Sequence, residues 1–93
     1  RIIIDTSLKI PDNSKVLFDD AKTIIATTRM ASKRRIEELE SIENVSVWNC
    51  PLSNAQVDLE FLLNKLGKMD IDSVLVEGGG EINFNILENN LAH

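Results

Sequence analysis

The residues best suited to chemistry fall in one stretch, Glu77-Gly78-Gly79-Gly80, which follows Ser73-Val74-Leu75-Val76 and precedes Glu81-Ile82-Asn83-Phe84-Asn85-Ile86-Leu87. Three successive glycines carry no Cβ, so the main chain there can take positive φ and lie in contact with another object, either a ligand or a neighbouring strand. The β-branched run before them reads as a strand, and the apolar residues 82, 86 and 87 after them recur at helical spacing. The expectation is strand, glycine turn, helix. The first turn of such a helix offers unpaired N–H groups and the positive end of its dipole at Gly80 to Asn83, where phosphate or pyrophosphate is held. The pattern is not G-x-G-x-x-G, since position 83 is Asn, and it lacks the Lys and hydroxyl of a P-loop. A tight turn that needs glycine for packing alone fits the same residues.

Other candidates are few. One cysteine, Cys50, and one histidine, His93, allow no disulfide within the chain and no metal-ligand spacing. Cys50 stands next to Pro51 with no histidine nearby to activate it, so it reads as a small buried residue. Lys33-Arg34-Arg35 open a helix in a position its dipole disfavours. They read either as a phosphate-facing patch or, as a charge run more often is, as a solvated face relieved by Lys33–Glu37 and Arg34–Glu38 pairs. Fifteen acidic against ten basic residues, a net charge of −5, argue against a nucleic-acid binder. They leave a phosphorylated small molecule open, since one local donor cluster is enough for it. An apolar fraction of 43% in 93 residues is that of one small globular domain. No apolar run is long enough to span a membrane, nothing resembles a signal peptide, and a reducing cytoplasm is the expected compartment.

The elements that must position these residues follow from periodicity. Arg1 to Asp5 is a buried-strand pattern, and Leu8-Lys9-Ile10-Pro11 is expected to run extended before a turn at Asp12-Asn13-Ser14. Val16-Leu17-Phe18 reads as a small apolar anchor, and Thr23 to Thr28 as a second strand ending in hydroxyls. Ser32 caps a helix through Ser41 with Ile36, Leu39 and Ile42 inward. Val45 to Asn49 alternates as a third strand in which Trp48 belongs to the core, and Leu52 to Gln56 reads as a polar loop. Asp58 caps a helix with Leu59, Leu62, Leu63 and Leu66 on one face and Gly67 at its end. A fourth strand starts at Ser73.

This alternation implies an α/β fold, a mostly parallel sheet with helices on both faces. Its strand carboxyl ends share one rim, where open α/β sheets bind ligands. The rim would carry Asp5-Thr6-Ser7, Thr27-Thr28, Asn49 with its following loop, and Glu77 to Gly80. Small hydroxyls beside a glycine-lined turn suit a phosphorylated, polyhydroxylated ligand such as a nucleotide. The chain opens at Arg1 straight into Ile2-Ile3-Ile4 and stops at Leu91-Ala92-His93 with no capping glycine and no following strand, so the expectation is a single partial domain, residues 1–93, of something larger.

Taken together, Arg1-Ile2-Ile3-Ile4-Asp5-Thr6-Ser7-Leu8-Lys9-Ile10-Pro11, Thr23-Ile24-Ile25-Ala26-Thr27-Thr28, Val57-Asp58-Leu59 and Val74-Leu75-Val76-Glu77-Gly78-Gly79-Gly80 with Asn83 and Leu87 resemble a known family. That family is the reductase domain of riboflavin biosynthesis, of dihydrofolate-reductase-like fold, fused behind a deaminase in bacteria and free-standing in archaea and fungi. The resemblance spans the whole chain, as the middle and later part of the domain. It implies NADPH-dependent reduction of the ribosyl side chain of a pyrimidine ribosylamine 5′-phosphate to ribityl, in a cytoplasmic homodimer. By similarity the cofactor pyrophosphate lies on Gly78, Gly79, Gly80, Glu81 and Ile82. Thr6 contacts the cofactor where the family mostly has Ser, and Val57, opening the second helix, lines the adenine site. Glu77 faces the ribose phosphate moiety of the substrate, or else bonds the N–H groups of its own turn. The resemblance assigns no general acid or base to this chain. Hydride transfer is the chemistry of the cofactor and mainly needs orientation.

Two rivals remain from the residues themselves. A dihydrofolate reductase also carries a glycine-rich turn after a strand, although Glu77 and the run Asp5 to Pro11 speak against it. A non-catalytic α/β nucleotide-binding or interaction module would use the glycines for packing only. Gly79→Val separates them: a β-branched side chain in the phosphate position should abolish NADPH binding by the full-length protein, measured by calorimetric titration. Unchanged affinity would leave the glycine turn a purely structural feature.

Overall fold

A computed structural model of the chain describes residues 1–11, 13–67, 73–76 and 80–83. Five strands form one sheet: β1 (Ile2–Ile4), β2 (Thr23–Thr27), β3 (Val45–Asn49), β6 (Ser73–Leu75) and β7 (Glu81–Asn83), in the spatial order β3-β2-β1-β6-β7. β1, β2, β3 and β6 are parallel, and β7 runs antiparallel at one edge. A two-stranded hairpin, β4 (Leu52–Ser53) and β5 (Gln56–Val57), stands apart from the sheet. Among the described residues the α-helices are α1 (Lys33–Glu40) and α2 (Leu59–Leu66).

The central strand explains the layering. Successive side chains of β1 point to opposite faces, and all three are isoleucine, so both faces must be covered. Ile3 joins Ile25, Val45, Leu8, Leu17 and Leu39 of α1 on one side. On the other side Ile2 and Ile4 join Ala26, Val57, Val74 and Leu62 and Leu66 of α2. Each fully buried side chain of this size contributes about 1.5–3 kcal/mol. The expected α/β sheet with helices on both faces is what forms.

Both helix starts are as the capping residues imply. Ser32 Oγ accepts from the Arg35 N–H at 3.2 Å, and Asp58 Oδ1 from the Phe61 N–H at 3.1 Å. Gly67, at φ +56°, ends α2 in the left-handed region. Among the described residues the basic first turn of α1 is paired internally: Arg34 and Arg35 both reach Glu38, and Arg35 also donates to the Ile10 carbonyl oxygen. The Lys33–Glu37 pair does not form.

Several expectations are corrected. Residues 81–83 are not the first turn of a helix. They pair with the second edge of β6, Leu75 opposite Glu81 and Ser73 opposite Asn83, and the Val76 N–H donates to the Gly80 carbonyl at 2.7 Å. The physical reason is the ladder: β6 would otherwise present a row of unpaired backbone groups on that edge. The rest of the expected helix, residues 84–87, lies outside the described residues. Leu8 to Pro11 is not simply extended, because Leu8 takes φ +61° with its side chain buried. Of the expected anchor, Leu17 is buried in a short 3-10 turn, Lys15–Leu17, while Phe18 is 61% exposed.

The polar loop after Pro51 is the β4–β5 hairpin, and Val57 closes it instead of opening α2. Its two-residue turn, Asn54-Ala55, has positive φ at both positions, 53° and 64°. Such turns match strand twist but favour glycine at the second place, and Ala55 bears the cost of a left-handed L-residue. Ala55→Gly should therefore stabilise the protein by about 0.5–1 kcal/mol. The check is a higher denaturant midpoint at unchanged slope.

Candidate functional site

Parallel pairing brings the carboxyl ends of β1, β2, β3 and β6 to one rim, and the order of strands along the sheet reverses around β1. Chain leaving β1 is the hub of that rim. Asp5 continues the ladder, its N–H donating to the Ala26 carbonyl at 2.9 Å. Its carboxylate then accepts two backbone N–H groups, from Lys9 at 3.0 Å and Ile10 at 2.8 Å. Those two bonds fold the chain back over the strand end and hold Leu8 in its left-handed conformation. With both oxygens so engaged and only 7% of the residue exposed, Asp5 is an anchor of the loop.

Thr6 is 4% exposed and sits where three segments meet. Its carbonyl oxygen accepts from Thr27 Oγ1 at 3.0 Å, Thr28 Oγ1 at 2.8 Å and the Thr28 N–H at 3.3 Å. Its own Oγ1 accepts from the Val57 N–H at 3.3 Å. Thr6 and Val57, 51 residues apart in sequence, are thus directly bonded. The hydroxyls of Thr27 and Thr28, expected to face a ligand, point inward, and both residues are fully buried. That is a correction: two threonines ending a central strand satisfy a backbone acceptor of the next loop before they can serve a ligand.

An open groove of about 430 Å³ is lined by Arg29, Asn49, Cys50, Pro51, Phe61 and Leu52, the strand partner of Val57. It occupies the rim beyond β2 and β3, against the β4–β5 hairpin. The Cys50 N–H donates to the Thr27 carbonyl at 2.7 Å, and the Asp58 N–H to the Pro51 carbonyl at 3.0 Å, which fixes the groove floor to the sheet. Cys50 is 3% exposed, and burial pushes its thiol up from the ordinary range, with Lys65 opposing and Asp58 reinforcing. It is a packed neutral side chain. Trp48 is half-buried, and the Lys65 ammonium lies over its ring, 4.8 Å from the centroid.

Arg29, which the sequence did not single out, brings a guanidinium to this groove and is exposed, with no hydrogen bond or ion pair among the described residues. Its signal was positional: it is the first residue beyond the hydroxyl pair at a strand carboxyl end. Of the other candidates, Ile3 opposite Leu75 makes the ends of β1 and β6 neighbours. Gly80 follows on the same rim, and a Cβ built on it would meet Val76 Cγ2 at 3.1 Å. Glu81 and Ile82 belong to β7. Glu77, Gly78 and Gly79 lie outside the described residues. Among the described residues no group of three His, Cys, Asp or Glu could hold a metal, and no helix is long and apolar enough to cross a membrane.

The chain is similar to known proteins. A family model described as the RibD C-terminal domain matches residues 1–92. The riboflavin biosynthesis protein RibD of Actinobacillus pleuropneumoniae is 37% identical over 100% of this chain and 25% of its own length. Two archaeal proteins named 2,5-diamino-6-ribosylamino-4(3H)-pyrimidinone 5′-phosphate reductase are similar over 98% of this chain and 40% of theirs. That of Methanothermobacter thermautotrophicus is 32% identical and that of Archaeoglobus fulgidus 28%. The chain therefore spans between a quarter and two fifths of the length of these curated relatives.

The geometry of the Asp5 loop can be tested directly. Asp5→Ala leaves two partly buried N–H groups without their acceptor and should cost about 2–3 kcal/mol of stability. Equilibrium denaturation of the full-length variant measures it, and a loss below about 0.5 kcal/mol would mean that water replaces the carboxylate.

Proposed function

The chain belongs to the RibD C-terminal domain family, and from that premise we propose that it forms the middle and later part of a reductase domain in riboflavin biosynthesis. The reaction is NADPH-dependent reduction of the ribosyl side chain of a pyrimidine ribosylamine 5′-phosphate to ribityl. The observation that carries this reading is the family match over residues 1–92, in a chain whose archaeal relatives are named for that phosphate reduction.

The residues present are compatible with a dinucleotide. The groove has the volume of a nucleoside, apolar surface from Pro51, Leu52 and Phe61 for a base, and one guanidinium, Arg29, for an anion. A cation at this end of the cleft favours the cofactor that carries a 2′-phosphate over the one that does not. Val57, held by Thr6, supports the groove wall from behind as the strand partner of Leu52. Gly78, Gly79 and Gly80, with Glu81 and Ile82, take the pyrophosphate through bare main chain, without the helix dipole first expected there. Glu77 accepts hydroxyl hydrogen bonds from the ribose phosphate moiety of the substrate. The cofactor supplies the hydride. The work of this chain is to bind the two reactants side by side on the rim and to exclude water between them. The parent enzyme acts as a homodimer in the cytoplasm.

The full-length protein should oxidise NADPH, read by loss of the reduced-nicotinamide absorbance, when given the deaminated or the undeaminated pyrimidine ribosylamine phosphate. Arg29→Ala should raise the Kd for NADPH about tenfold or more and leave that for NADH nearly unchanged, since a charge-assisted phosphate contact is worth about 1.5–3 kcal/mol. No NADPH turnover with either substrate would overturn the assignment.

A further inference from the structure

We propose that Thr28 is a positioning residue whose hydroxyl aligns the two walls of the cofactor cleft, an inference that rests on the cofactor reading above. Thr28 is fully buried and touches the site only through other residues. Its Oγ1 donates to the Thr6 carbonyl at 2.8 Å and at the same time accepts the Met30 N–H at 3.1 Å. One side of this hydroxyl therefore leads to Thr6, whose own Oγ1 holds the Val57 N–H. The other side leads to the turn that presents Arg29 to the groove. A single O–H group spans the two segments on which the wall and the cation of the cleft are mounted.

Of the three donors to the Thr6 carbonyl, the Thr28 hydroxyl at 2.8 Å is nearer than the Thr27 hydroxyl at 3.0 Å and the Thr28 N–H at 3.3 Å. The shortest bond does most to fix where this carbonyl points. Three donors converging from β2 and the residue after it leave the Thr6 backbone one orientation, and with it the position of Oγ1 under Val57. Leu8, just beyond, is held in the left-handed region by the same loop, so the segment has few alternative conformations to relax into.

Valine has nearly the shape of threonine and removes only the hydroxyl. In the full-length protein Thr28→Val should raise the Kd and KM for NADPH about tenfold with kcat little changed, the effect of losing the two hydrogen bonds by which one hydroxyl joins the two segments. Thr28→Ser, which restores the hydroxyl, should return both close to the original values. Combined with Thr6→Val, the losses in NADPH affinity should be less than additive, because both substitutions release the same wall. Thr28→Cys, a small side chain with a weak donor, should also weaken NADPH binding and serves where the valine variant does not fold. A folded valine or cysteine variant that binds NADPH as tightly as the original, or a serine variant as weak as valine, would overturn the positioning role. An original protein that does not bind NADPH at all would overturn this inference and the proposed function together. Normal binding by the original with normal binding by Thr28→Val removes only the inference.

Discussion

A strand made of isoleucine on both faces can exist only between two apolar layers, and the architecture follows from that requirement at β1. The conflict with water is large, since leaving any one of these side chains exposed forgoes about 1.5–3 kcal/mol. α1 and α2 resolve it from opposite sides, α1 with Ile36 and Leu39 and α2 with a stripe of leucines. Helices on both faces in turn favour crossover connections and parallel pairing, which align the strand carboxyl ends. The functional rim is thus a consequence of how the core is covered.

At that rim the problem changes from burial to satisfaction of polar groups. Where parallel strands stop, backbone N–H and C=O groups lose their ladder partners and must find others. Asp5 supplies acceptors for two of them, and Thr27 and Thr28 supply donors for the Thr6 carbonyl. Among the described residues no buried side-chain oxygen or nitrogen is left without a partner. Strand ends that are locked in this way leave the adjoining groove lined by groups that are not needed internally, notably the Arg29 guanidinium. Rigid support below and unspent charge above is what a binding rim requires.

The elements legible in the sequence were those whose period and caps agree. Ser32 and Asp58 fell at helix starts, and the leucines of α2 and the β-branched runs of β1, β2 and β3 fell where periodicity placed them. What escaped was decided by tertiary partners. The β4–β5 hairpin has only two residues per strand and a turn, Asn54-Ala55, without the glycine that would have marked it. Ile82 was assigned to a helix on its spacing to residues 86 and 87, yet a free edge on β6 drew the backbone of residues 81–83 into the sheet. Thr6 and Val57 were each named from family resemblance. Their hydrogen bond joins positions 51 residues apart, and no local pattern encodes it. The direction of the Thr27 and Thr28 hydroxyls was equally hidden, because sequence shows that a strand end is polar and not which neighbour claims its protons.

The strand at residues 81–83 also changes the physics by which the glycines could serve a nucleotide. A helix N-terminus would attract phosphate through its dipole and its unpaired N–H groups. In the observed hairpin, part of that donor set is engaged by β6, and the Gly80 carbonyl is bound by Val76. Under the proposed function, the exposed Arg29 guanidinium on the groove is a described cation available to the 2′-phosphate. At Gly80 the described constraint is steric. The 3.1 Å approach of Val76 to a hypothetical Cβ at Gly80 shows how little room a side chain has at the closing position of the hairpin. Under the proposed function, charge recognition and close approach fall at two ends of the rim, and the Thr6–Thr28 bond ties the loop after β1 to the segment that carries Arg29.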